Sequence, residues 1–293
     1  MAGEKGLSKL YWLAIFLLPS LVGLSIFTII PVLSSLALTM YEWDLLTSPQ
    51  FVGLANFNRL IHDGGFWEAL AHTLYFIVGY VPLVMIIALG VAVILNQRLK
   101  GVLFFRTAFF VPVVSAWVAV ALMWKWIFNP KFGIFNYFLG LLNIQGPAWL
   151  FDPQWAMPAI IIASVWKDIG FVMVMFLAGL QGIPGDYYEA AAIDGANGWQ
   201  RFFRITLPLL SPTTFFALII SLINSFQVFD QVWIMTGGGP GGATSVLVER
   251  IVKNAFSYSR MGYASALSWV LFLLVFTATI VQMRIQRYWV TYD

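Results

Sequence analysis

The sequence has no cysteine, only two histidines, and little charge of either sign. Without cysteine there is no disulfide framework, no thiol nucleophile and no thiolate metal site. His62 and His72 alone are too few for a histidine-rich metal centre. Only 10% of the 293 residues are charged, where soluble domains carry about 25%. A net charge of +3 with no long basic run offers no footprint for nucleic acid. No GxxxxGK[ST] occurs anywhere, so the sequence offers no phosphate loop. "TGGGPGG" (236–242) is no substitute, because it lacks the lysine and is interrupted by Pro240. It reads as a flexible outer turn.

What fills the chain is apolar: 60% hydrophobic and 17% aromatic residues, with a mean hydropathy of +0.84. Hydrocarbon is its main solvent. A helix needs about 20 mostly apolar residues to cross a bilayer core. Six stretches qualify, near residues 12–40, 70–95, 107–127, 156–180, 207–229 and 261–283. The fold class expected is all-α, a polytopic bundle of six transmembrane helices forming one membrane domain over residues 1–293. The first run is uncharged for 32 residues, Leu10 to Tyr41. It exceeds the apolar core of a cleavable signal, about 7–15 residues, and reads as a retained span.

Six crossings put both termini on one side. That side (1–9, 96–106, 184–206 and 284–293) carries nine Lys/Arg in 53 residues, and the other (42–69, 125–155 and 230–260) six in 90. The basic excess places both termini, and the loop at 184–206, in the cytoplasm.

That loop reads "EAAAIDGANGWQRFFRITLPLLSP" from Glu189 to Pro212. Asp186 is expected to cap a helix starting at Tyr187, with Glu189 reaching back, and Gly195 to supply the left-handed stop. Such a helix is too short to stand alone. A second short helix is expected over Trp199–Ile205, with Arg201 and Arg204 at the headgroups. From physics alone the pair suits an amphipathic interfacial hairpin. The pattern says more. Glu189, Ala190, Ala191, Gly195, Ile205, Leu207 and Pro208 match all seven fixed positions of the "EAA" signature of permease subunits in binding-protein-dependent ABC importers. At about 5–10% usage per residue type, chance supplies that roughly once in 10⁸ starting points. The chain is similar to the carbohydrate-uptake branch of that family also through "FVGLANF" (51–57), "FFRTAFFVP" (104–112), "SVWKDIGF" (164–171), "GGGPGGATSVLVERIV" (237–252) and "MGYASALSW" (261–269).

The resemblance implies a type I ABC importer permease fold in a bacterial or archaeal inner membrane. It implies that the loop is a coupling helix docked on a cytoplasmic ATPase, with Glu189 as the charged contact, Ala190 and Ala191 as the close-packed face and Gly195 as the turn. It also implies the partners: a second homologous permease, two ATPase subunits that hold the ATP and magnesium, and an extracytoplasmic solute-binding protein. No cofactor is expected on this chain, and its other surroundings are lipid.

Charges inside the membrane are costly and mark functional candidates. Lys167 and Asp168 lie mid-way along the fourth span on neighbouring faces. Each either pairs with another span or a partner subunit, or serves the solute path or its gate. The fifth span carries Ser221, Asn224, Ser225, Gln227, Asp230 and Gln231 among Phe226, Phe229 and Trp233. Amides and aromatic faces suit an uncharged polyhydroxylated solute, and polar side chains also bind helices to one another. Small residues at Gly262, Ala264, Ser265, Ala266 and Ser268 read as a close helix contact. Two rival classes stand beside the importer. An ion-coupled secondary transporter needs titratable groups around a midplane site, for which only Asp168 offers itself. An integral-membrane transferase needs a cluster of carboxylates or histidines, and the sequence shows none.

Overall fold

The computed structural model describes residues 2–97 and 100–291, with side chains from Tyr11 onward. Lys5, Lys9 and Arg98 of the charge tally therefore have no described side chains. The chain forms two compact units, residues 1–63 with 251–270, and residues 64–250 with 271–293.

In the first unit, α1 (Ala2–Leu24) and α2 (Ile30–Leu38) run on through a π-helical turn at Ser25–Ile29, where Ile30 N–H donates to Ser25 O. The wide turn ends just before Pro31, which has no N–H to give and whose ring crowds the preceding turn. Residues Tyr11–Leu38 are long and apolar enough to cross a membrane, and the most apolar part of that run has no buried residue. A two-stranded hairpin follows, β1 (Tyr41–Glu42) with β2 (Gln50–Phe51). Its turn is organised by Asp44, whose carboxylate accepts from Thr47 N (2.8 Å), Leu46 N (3.0 Å) and Thr47 Oγ1 (2.8 Å). The backbone donors of Thr47 and Leu46 hold that carboxyl below its ordinary value.

Next comes α3 (Ala55–Ile61). The buried Asn56 Nδ2 donates to Thr39 O and Tyr41 O, both at 2.9 Å. Met261 N donates to Trp43 O at 2.9 Å. Gly262 lies so close to the Tyr41 carbonyl that any Cβ would collide with it. The glycine of "MGYASALSW" and the asparagine of "FVGLANF" thus fasten residues 39–43, 56 and 261–262 together. Of the small-residue stretch, Gly262 makes the close contact, and it is with the backbone of β1 rather than with a helix.

The second unit is built on α4 (Gly64–Leu95) and α8 (Pro153–Gly182). Buried Phe76, Tyr80, Val84, Ala88 and Ala92 recur at helical spacing on α4, facing the core they share with Ile160, Ala163, Met173 and Phe176 of α8. Between these helices in sequence are α5 (Val102–Val114), α6 (Trp117–Ile127) and α7 (Ile134–Leu141). A Cβ at Gly170 would strike the Phe109 carbonyl, and one at Gly179 would strike Thr213 Oγ1, so glycine sets how closely α8 meets its neighbours. Past α8 come α9 (Gly185–Ile193), α10 (Gly198–Arg201), a π turn at Phe202–Thr206, α11 (Leu207–Leu209), α12 (Ser211–Phe226), α13 (Asp230–Met235), α14 (Leu247–Val252) and α15 (Met261–Ile285).

Among the described residues, four runs are long and apolar enough to cross a membrane unbroken, and two bent pairs bring the number to as many as six. The expected third span is α5 and α6, bent by 102°. The expected fifth is α12, preceded by the run 198–209 at 65°. It ends at Phe226, so Asp230 and Gln231 belong to α13 instead.

Candidate functional site

The loop after α8 starts α9 earlier than expected. Pro184 is the cap residue, at φ −60° and ψ 138°, and α9 begins directly after it with no side-chain cap. Asp186 therefore lies inside the first turn, where its charge meets the positive helix end. The expected Asp186–Glu189 box does not form. At the far end the expected stop does: Gly195 has φ +77°. Gly195 N donates to Ala192 O at 3.1 Å and Ala196 N to Ala191 O at 2.9 Å. That pair of bonds is the Schellman arrangement, with Gly195 in the left-handed position. Asp186, Glu189, Ala190 and Ile193 fall on one face and are all exposed, Ile193 by 87%. Tyr188 and Ala191 face the body of the protein, each half-buried.

Tyr188 Oη shares a 3.0 Å hydrogen bond with Oγ1 of buried Thr206. It links α9 to the turn that feeds α12. Between them Asn197 and Gln200 form a reciprocal capping box, Gln200 N to Asn197 Oδ1 at 2.9 Å and Asn197 N to Gln200 Oε1 at 2.8 Å. The Asn-x-x-Gln spacing signals it locally. The second helix is accordingly longer than Trp199–Ile205. Its π turn, closed by Leu207 N–H on Phe202 O, sits just ahead of Pro208.

Within α8, Lys167 and Asp168 do not pair with each other. Buried Lys167 donates Nζ to Val113 O at 3.0 Å and lies 5.2 Å from the Trp117 ring centroid. Val113 lies in the last turn of α5 and Trp117 begins α6, so the ammonium sits at the break of the third span. It satisfies a carbonyl that the break frees and rests on the next aromatic face. Asp168 Oδ2 accepts from Tyr80 Oη of α4 at 2.8 Å. Both charges pair with other helices of this same chain.

The polar stripe of the fifth span divides in two. Ser221, Ser225 and Gln231 are buried; Ser225 Oγ bonds Leu222 O (2.7 Å), and Gln231 Nε2 reaches Ser164 Oγ of α8 (3.4 Å). Asn224, Gln227 and Asp230, spaced by three, are exposed. None of those three side chains holds a hydrogen bond among the described residues. One half of the stripe is buried, with Gln231 tied to α8 and Ser225 to its own helix, and the other half is exposed.

The glycine loop at 236–242 is tied rather than loose. Thr236 Oγ1 bonds Thr244 Oγ1 at 2.7 Å, and buried Thr244 donates to Gly239 O at 2.6 Å. Leu247 N donates to Thr73 Oγ1 of α4 at 3.0 Å. Its glycines at 237, 238, 241 and 242 all have positive φ, which explains their number.

Residues 61–290 match the family described as binding-protein-dependent transport system inner membrane component. The chain belongs to that family. As a member it is a multi-pass inner-membrane permease, a transport subunit, and residues 189–208 lie inside the matched region. It is 40% identical over 283 residues to a probable ABC transporter permease protein, YesP of Bacillus subtilis, covering 95% of this chain and 91% of the relative. It is 38% identical over 276 residues to MalF, the trehalose/maltose transport system permease protein of Thermococcus litoralis, covering 94% and 93%. Its fold is like that of a chain in the crystal structure of a bacterial alginate ABC transporter in complex with an alginate pentasaccharide-bound periplasmic protein, with a TM-score of 0.86 at 23% identity and coverage of 97% and 96%. The fold is that of a type I ABC importer permease.

Proposed function

We propose that this permease moves a sugar or related polyol-type solute into the cytoplasm by alternating access, with α9 as its coupling helix. The carrying observation is α9 itself. It is a short helix closed by Gly195, exposing Asp186, Glu189, Ala190 and Ile193, and bonded through Tyr188 to the start of α12. An isolated helix of nine residues is marginal in water, so so exposed a face calls for a partner. A cytoplasmic ATPase is that partner. It holds the ATP and magnesium, for which this chain has no phosphate loop, and Glu189 meets a basic group on it.

The assembly contains a second, similar permease, two ATPases and an extracytoplasmic binding protein. Both termini face the cytoplasm, in keeping with the basic excess on that side. Closing of the ATPases displaces α9, and the Tyr188–Thr206 bond passes that displacement to α12. From the end of α12, its cap residue and the start of α13, Asn224, Gln227 and Asp230 supply hydrogen-bonding groups to the passing solute. Lys167 and Asp168 frame the path by holding α8 to the third-span break and to α4.

The cargo class is supported by the trehalose/maltose relative and by the amide-and-aromatic makeup of the open stripe. The test is ATP hydrolysis by the reconstituted complex across a panel of sugars, polyols, amino acids and ions. Stimulation by a sugar or polyol is expected; stimulation confined to amino acids or ions would overturn the cargo assignment. Transport driven by an ion gradient without ATP would favour the secondary transporter.

A further inference from the structure

The run 198–209 meets α12 at 65°, and the corner between them is Leu210, fully buried, at φ −84° and ψ −5°. On the loop side of the corner Tyr188 of α9 holds Thr206, one helical turn before it. On the other side lies a second fastening, which the coupling reading does not use. Thr291 N–H donates to Ser211 Oγ at 2.9 Å. Ser211 is the first residue of α12 and is 4% exposed. One turn further along α12, half-buried Phe215 meets the Trp289 ring edge to face, with centroids 6.2 Å apart.

A serine at a helix start ordinarily caps that helix. Here α12 has no side-chain cap, and the Ser211 hydroxyl accepts from a residue 80 positions away. The tail is turned to reach it. After α15, the 3₁₀ turn at Gln286–Tyr288 is followed by Trp289 N and Val290 N, which both donate to Gln286 O, at 3.1 and 2.8 Å. That reversal brings Trp289 and Thr291 to the first two turns of α12 together. The bend at Leu210 is thus held on both sides, by α9 through Thr206 and by the tail through Ser211 and Phe215. All of these residues lie within the second unit.

We propose that residues 289–291 are the fulcrum of α12, so that a displacement of α9 turns that helix instead of opening the bend. A corner between two helices is the compliant part of a lever, because a few element-terminal residues absorb the change in backbone angle. A push delivered to one arm is lost there unless the other arm is held close to the corner. The tail supplies that hold. Trp289 and Thr291 act through α12, as positioning residues. The proposal rests on the coupling role given to α9 above.

Two substitutions undo the fastening from the tail alone. Thr291→Pro has no N–H to give, and Trp289→Ala has no ring. Thr291→Ala keeps the N–H and is the control. Hydrogen–deuterium exchange of the assembled importer is read by mass spectrometry, first without nucleotide and then trapped with ATP, magnesium and vanadate. Without nucleotide, T291P/W289A should speed exchange at residues 213–217 by about two- to tenfold, the factor for one hydrogen bond, and Thr291→Ala should match wild type. On trapping, wild type should change its exchange both at 198–209 and at the far end of α12, residues 222–228. In T291P/W289A the change at 198–209 should persist and the change at 222–228 should vanish. Unaltered exchange at 213–217 in the double variant would overturn the proposal, and so would a trapping response at 222–228 as large as that of wild type. If the double variant does not assemble, Thr291→Pro alone, at an exposed position, decides by the same criteria. A wild type that shows no response at 198–209 would remove α9 as the coupling helix and the fulcrum with it. The nucleotide-free reading at 213–217 does not depend on α9, so the two failures are told apart.

Discussion

Replacing Gly195 by valine separates backbone strain from every other effect at the coupling loop. Gly195 holds φ +77°, and a Cβ there would meet nothing within 4 Å of this chain. The internal cost is therefore conformational, about 1–2 kcal/mol for an L-residue in the left-handed region. If the turn relaxes instead, the bonds from Gly195 N and Ala196 N are lost, at about 0.5–1.5 kcal/mol each. The cheaper route sets the cost, so the equilibrium constant for correctly closed α9 falls by roughly 5- to 30-fold. Apparent affinity for the ATPase falls by the same factor, because only the closed helix docks. Gly195→Asn is the control, since asparagine visits the left-handed region readily. The assay titrates the ATPase onto detergent-solubilised permease carrying each variant, then measures coupled hydrolysis in proteoliposomes. Valine should weaken association by that factor, and asparagine should remain near wild type. If asparagine is as damaging as valine, side-chain volume rather than backbone conformation governs the loop, and the reasoning fails. If valine binds and transports normally, the loop is an interfacial hairpin without a partner.

Three further substitutions probe other parts of the molecule. Tyr188→Phe removes a single hydrogen bond, about 0.5–1.5 kcal/mol, without touching the docking face; the ATPase should still bind while solute moved per ATP declines, and an unchanged ratio would refute the strut. Asn224→Ala and Gln227→Ala sit on the open half of the polar stripe, so assembly should persist while solute stimulation weakens or shifts to another sugar; unaltered transport in both would remove them from the path. Asn56→Ala strands the carbonyls of Thr39 and Tyr41, costing about 1–3 kcal/mol, and should lower the melting temperature in detergent without altering ATPase binding; an unchanged melting temperature would contradict the fastening role.

What could be read in advance was local. Each unbroken span is a run of apolar residues, so hydropathy alone locates it. The stop at Gly195 is legible for a similar reason, because one residue decides it. α9 starts ahead of the position an Asp186 cap predicts, because Pro184 at the cap sets the helix entrance through its fixed φ of −60°. The break at 115–116 has no glycine or proline of its own. It is maintained by Lys167, 54 residues from Val113 in sequence, a contact that no local pattern shows. Tyr80 with Asp168, 88 residues apart, and Asn56 with Thr39, 17 apart, are likewise non-local pairings whose roles emerge only once the chain is packed. The polar stripe was visible as composition, but its division into a buried and an open half depends on which side of α12 meets α8.

The most direct test of the account is where residue 190 lies in the working assembly. The natural chain has no cysteine, so Ala190→Cys and Gly241→Cys each introduce one unique thiol. In intact cells a membrane-impermeant maleimide should label Gly241→Cys and leave Ala190→Cys untouched. A short photoactivated crosslinker attached at residue 190 of the purified complex should join this chain to the ATPase, and the same reagent at residue 241 should not. Labelling of Ala190→Cys from outside, or crosslinks from it to lipid alone, would contradict both the orientation and the coupling role of α9.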